Sequence, residues 1–140
     1  MALNFNNYAK RDCICQAVLN RFASTTRFIR VFPDTVPFPS TTPTDTSLLP
    51  AGHILTFTQT HFTLARSTNA IIFSAGTLVA NTTAAGTLSW FALYNNTGTN
   101  QQGIISDAIS TSGGNGVLIV STLTPGNGDP VTIGFNLAFV

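Results

Sequence analysis

The sequence predicts a mainly β protein: an antiparallel β-sandwich, jelly-roll or Greek-key-like, with one N-terminal α-helix and a long proline-rich loop. Three observations lead there. Short runs of β-branched and aromatic residues recur from Gly52 to Val140, separated every 8–12 residues by Gly, Asn or Pro. The last run, Val131–Val140, alternates cleanly, with Val131, Ile133, Phe135, Leu137 and Phe139 on one side. The run GTLSWFALY, 86–94, is apolar on both faces, as a strand covered on both sides must be.

At 140 residues the chain is one domain's worth, and a domain of that size buries enough surface to need no metal or disulfide. We divide it into an N-terminal arm and helix, 1–26, and a single sandwich domain, 27–140, which includes the proline-rich loop 33–50. Residues 2–7 form an arm with Phe5 as its anchor. Asn6 or Asn7 caps a helix from about Tyr8 to Phe22, where Ile14, Ala17, Val18, Arg21 and Phe22 share one side. RFIRVF, 27–32, reads as the first strand. Pro33, Pro37, Pro39, Pro43 and Pro50 then make the following stretch extended loop, since each removes a backbone donor and fixes φ. Phe38, Leu48 and Leu49 give that loop apolar anchors.

Ile54–Gln59 and His61–Arg66 read as two strands or one bent strand. Asn69–Ser74 and Gly76–Ala80 follow, divided by a glycine. In the central strand, Gly86–Asn95, alternation sets Leu88, Trp90, Ala92 and Tyr94 on one face and Phe91 and Leu93 on the other. Asn95–Gly98 is a turn. Gly103–Ile109 and Gly116–Thr122 are strands joined by SGGNG as a hairpin. PGNGDP, 125–130, is a further turn.

Charge is scarce: 8% of residues are charged, against about 25% in ordinary domains, and there is no glutamate. Residues 1–30 carry Lys10, Arg11, Arg21, Arg27 and Arg30 against Asp12 alone, a local +4 within a net charge of +1. These cations are spaced out, with no aromatic or Gly-Arg repeat, so an acidic protein surface or a neighbouring copy suits them better than nucleic acid. No stretch is apolar enough to cross a membrane as a helix, and no secretory signal opens the sequence. Cys13 and Cys15, on opposite sides of the expected helix, read as inert thiols.

The chemistry-bearing residues form no recognisable set. His53 and His61 lack partners at metal-ligand spacing. Asp34, Asp45 and Asp129 stand in turn contexts, where Asp bonds its own backbone. No nucleophile elbow or Ser-His-Asp set occurs. We therefore expect no catalytic residue, no cofactor and no metal. Trp90 and Tyr94 are the sole candidates for a carbohydrate platform, and mid-strand placement favours the core for Trp90.

The order of segments resembles small virion structural proteins encoded by tailed bacteriophages. The matching pieces are RDCICQAVLNRF, RFIRVF, LLPAGHILTF, GTLSWFALYNNTG, GIISD, STSGGNG and VTIGFNLAF. The two cysteines and the dense prolines depart from that pattern. The resemblance implies a non-enzymatic virion component, foremost a capsid decoration or cement protein, with a neck, tail or baseplate protein as the alternative. A carbohydrate-binding module is the more remote reading. It further implies partners among the major capsid protein and other virion proteins, a homo-oligomer (a trimer on three-fold sites), and location in the virion. Phe5, Tyr8, Arg11, Arg21, Phe38, Leu48 and Leu49 are the expected interface residues.

Overall fold

The structure is a computed structural model and describes residues 27–40, 49–59, 63–66, 70–95, 103–114 and 116–138. The expected arm, the expected helix with Cys13 and Cys15, His61 and the body of the expected 95–98 turn lie outside the described residues.

Nine strands are described: β1 (Arg27–Pro33), β2 (Leu55–Gln59), β3 (Thr63–Arg66), β4 (Ala70–Asn81), β5 (Leu88–Asn95), β6 (Gly103–Ser106), β7 (Ile109–Thr111), β8 (Leu118–Val120) and β9 (Pro130–Ala138). They form two sheets, one ordered β2-β1-β5-β6 and the other β3-β4-β9-β8-β7. All pairings are antiparallel except β7 with β8. Ile54–Gln59 and His61–Arg66 thus contribute two strands in different sheets.

The two sheets share one apolar core. Alternation along β1 turns Ile29 and Val31 into it, joined by Leu55 and Phe57 of β2 and by Phe91 and Leu93 of β5. The second sheet supplies Leu118, Val120, Val131 and Ile133. Each such side chain contributes about 1.5–3 kcal/mol by leaving water.

Four details differ from the sequence pattern. First, Leu88 belongs to this core and not with Trp90, because the β1–β5 pairing slips between Phe32 and Pro33, so Trp90 faces Phe32 but Leu88 faces Pro33. The bulge adds one residue, and every side chain before it changes face. Second, the two runs around Gly76 are a single strand, β4. Its register to β9 slips between Phe73 and Leu78.

Third, Gly103–Ile109 is two strands in different sheets. The Ser106 hydroxyl accepts from the Ala108 N–H at 3.0 Å, and Ile109 N–H donates to the Asp107 carbonyl at 2.9 Å. These local bonds compete with the ladder and turn the chain from one sheet to the other.

Fourth, β7 and β8 do not form a hairpin. After Thr111 the chain turns, with Gly114 N–H on the Thr111 carbonyl, and doubles back past Ser110. Val117 and Leu118 N–H both donate to the Ala108 carbonyl at 2.7 and 3.1 Å, and β8 starts off parallel to β7. Gly116 N–H donates to the Ser110 hydroxyl at 2.9 Å. Parallel neighbours ordinarily need a long crossover. Here glycine permits a short one: a Cβ on Gly116 would lie 2.5 Å from the Ser110 backbone nitrogen.

The 125–130 turn is as expected. Gly128 has φ +82°, and the Asp129 carboxylate accepts from Gly126 N–H at 2.7 Å. Thr82, only 4% exposed, fastens the turn to the end of β4: its hydroxyl donates to the Gly126 carbonyl, its N–H to Asp129 and its carbonyl accepts from Gly128.

Candidate functional site

The other face of the β2-β1-β5-β6 sheet carries the unusual chemistry. Phe28, Arg30 and Phe32 of β1 alternate onto it, beside Trp90, Ala92 and Tyr94 of β5, with Ile105 of β6 packed against them. An aromatic surface on the side of a sheet away from the core needs a cover, and the proline-rich loop supplies part of it.

The cover starts directly after β1. Val36 N–H donates to the Pro33 carbonyl at 3.0 Å, closing a turn, and Asp34 N–H donates to the Thr87 carbonyl at 2.9 Å. That turn brings the Val36 carbonyl over β5, where the Trp90 indole N–H donates to it at 2.7 Å. Trp90 also stacks on Phe32, with centroids 3.8 Å apart and planes 5° from parallel. Phe38 meets the Trp90 ring edge-on, at 5.7 Å and 87°. Val36 and Leu49 pack against the same cluster, and Trp90 is fully buried. The edge-to-face contact of Phe38 with Trp90 adds about 0.5–1.5 kcal/mol beyond area burial.

The loop returns through Gly52, with φ +103°, a backbone conformation that glycine adopts without strain. A Cβ there would stand 2.9 Å from Val36 Cγ2, so the two arms of the loop touch at this point. His53 then approaches Phe32 edge-on at 6.0 Å, and Ile54 N–H donates to the Val31 carbonyl, leading into β2.

Arg30 is the cation of this face. Its guanidinium carbon lies 5.4 Å from the centre of the Tyr94 ring, which also stacks with Phe28. Its Nε is buried and has no hydrogen-bond partner among the described residues. Burial, and secondarily the Arg30 charge, holds the His53 pKa below its usual 6.5. Burial pushes the Tyr94 hydroxyl pKa up, and Arg30 opposes that shift in part.

Of the expected interface residues, Phe38 and Leu49 come together here, around Trp90. Leu49 is half-buried, while Phe38 is 45% exposed. Phe5, Tyr8, Arg11, Arg21 and Leu48 lie outside the described residues. Trp90 at 0% and Tyr94 at 4% exposure leave neither ring a free face for a sugar. Sequence reasoning misses Arg30, which reads as one of the five cations of the first 30 residues. The signal was there: a lone charge set between Phe28 and Phe32 at period two.

Among the described residues no group of three or more His, Cys, Asp or Glu side chains is placed to hold a metal ion, and no helix is long and apolar enough to cross a membrane. A shallow groove of about 250 Å³ lies between β8 and β9, lined by Ser112, Ile119, Ser121, Thr132 and Gly134 among others. It carries no charged or aromatic group. Comparison with protein-family models, curated proteins and solved structures finds no match for this chain.

Proposed function

We propose that this chain is a non-enzymatic structural subunit of a tailed-bacteriophage virion, foremost a capsid decoration or cement protein. In this reading the two sheets close into a jelly-roll or Greek-key-like sandwich. The arm and helix of residues 1–26, together with the proline-rich loop, reach neighbouring subunits. The partners are the major capsid protein or other virion proteins, the oligomer is a trimer, and the chain resides in the virion.

The observation that carries the reading is Phe38. A large apolar ring stands 45% exposed while its edge is seated on a buried tryptophan. A side chain already held in place loses little entropy when a partner covers it, so such a ring suits an interface anchor. The low charge of the chain fits the same use, because burying Thr, Ser and Asn costs less than burying ions. The resemblance of the RFIRVF and GTLSWFALY segments to small phage virion proteins supports the choice of assembly.

The test is co-sedimentation with particles produced without the chain. Wild-type protein is expected to bind. Deletion of residues 1–7 and the Phe38→Ala variant are each expected to lose binding while the Trp90 emission of the folded protein persists. Binding unchanged in both variants contradicts the reading. Copy number per particle distinguishes shell from neck or tail.

A further inference from the structure

Arg30 stands mid-strand in β1, paired across the sheet with Thr56 of β2 and Ala92 of β5. Both flanking residues are short, so the guanidinium lies over the sheet toward Tyr94. The π face of Tyr94 attracts the charge but accepts no N–H in the way a carboxylate does. Among the described residues the buried Nε finds no acceptor. A cationic N–H taken out of water without a hydrogen bond is costly, and a guanidinium matches a carboxylate through two parallel N–H···O bonds. Among the described residues, the neighbours of Arg30 on this face are Phe28, Tyr94, Ala92 and Thr56, none of them a carboxylate, and His53 is a second, weakly basic group whose protonation is disfavoured by burial first and by Arg30 second. The chain's first 30 residues hold five cations and one acid, so anions are scarce in that stretch of sequence.

We propose that Arg30 receives a carboxylate side chain of a neighbouring virion subunit, with exposed Thr56, Thr58 and Phe38 forming the rim of the contact. This rests on the assembly reading above and names the chemistry of its partner. An acidic side chain docked here bonds the terminal N–H groups of the guanidinium beside Tyr94, and the aromatic wall excludes water from the pair. The contact sets orientation on the lattice as well as affinity, because a planar fork accepts a carboxylate in few geometries.

The experiment measures binding of full-length wild-type, Arg30→Gln and Arg30→Lys proteins to particles produced without the chain, by co-sedimentation across a salt series. Trp90 emission and thermal melting monitor the fold of each. The expected result is a loss of about tenfold or more in affinity for Arg30→Gln, partial rescue by Arg30→Lys, and a salt dependence in the wild type that Arg30→Gln lacks. In parallel, phenylglyoxal labelling read by peptide mass spectrometry should modify Arg30 in the free wild-type protein and spare it in the bound form, which holds even if a variant fails to fold. Wild-type binding with Arg30→Gln unchanged, or with Arg30 equally labelled when bound, overturns the carboxylate contact alone. Wild-type protein that does not bind overturns the assembly reading with it. Sedimentation velocity that shows Arg30→Gln losing self-association and not particle binding assigns the contact to a second copy and also overturns the proposal.

Discussion

Phe32 and Trp90 lie face to face across β1 and β5, 3.8 Å between ring centres, and the Trp90 N–H is bonded to the loop that follows Phe32. One strand end therefore supplies both the ring under the tryptophan and the carbonyl over it. The loop is fastened to its own sheet at the residue where a long unsupported segment would otherwise begin. This explains how a proline-rich stretch can present Phe38 in a fixed position.

Trp90 is the single tryptophan, so its fluorescence reports loop docking directly. We expect blue-shifted emission that iodide and acrylamide quench poorly. Trp90→Phe leaves the Val36 carbonyl without its donor and should cost about 1–3 kcal/mol. Phe32→Ala should cost about 3–5 kcal/mol. Denaturant melts measure both. A quenchable, red-shifted tryptophan in the folded protein would show the loop undocked.

The short parallel link between β7 and β8 makes a contrasting pair of glycine substitutions. Gly116→Ala sets a methyl 2.5 Å from the Ser110 nitrogen and 2.9 Å from the Ile109 carbonyl carbon, both backbone atoms that cannot step aside. It should destabilise by about 1–3 kcal/mol. Gly134→Ala, where the space is open, should stay within about 0.5 kcal/mol of wild type. Equal melting temperatures for the two variants would contradict the doubled-back geometry.

His53 makes stability depend on pH with a defined sign. Its folded pKa lies below 6.5, so the unfolded chain takes up the proton first. Stability is therefore fully present above pH 6.5 and is lost as pH falls through the folded pKa. His53→Asn should flatten that part of the profile, and Arg30→Gln should narrow it from the acid side and reduce the loss, since removing the cation raises the folded pKa toward 6.5. Thermal melts of the three proteins across this range check both the slope and its origin. An unchanged slope in His53→Asn would assign it to another group.

Much of this fold was legible in the residues. RFIRVF, GTLSWFALY and the alternation of Val131 and Ile133 identify β1, β5 and β9 because a period of two against a core leaves a strong trace. The turn at Pro125–Pro130 was equally plain, since Gly128 and Asp129 serve the backbone locally. What escaped were the places where local bonding breaks the period. The bulge opposite Pro33 moves Leu88 to the core side, and the Ser106 hydroxyl diverts the chain between sheets. SGGNG has the composition of a hairpin turn, yet Ser110 and Ala108 capture the returning backbone and make the pair parallel. At the candidate site, Phe38 and Leu49 were visible as apolar residues in a polar loop. Arg30 was not, because its meaning depends on which face of β1 the loop covers, and only the three-dimensional pairing with Ala92 and Thr56 reveals that.

The most direct measurement is a reconstruction of the intact particle with this chain placed in it. The account predicts repeated copies bound at contacts between shell subunits, with Phe38 covered and an acidic side chain of a neighbour at Arg30. A particle that lacks the chain, or copies whose Phe38 and Arg30 face open solvent, would contradict it.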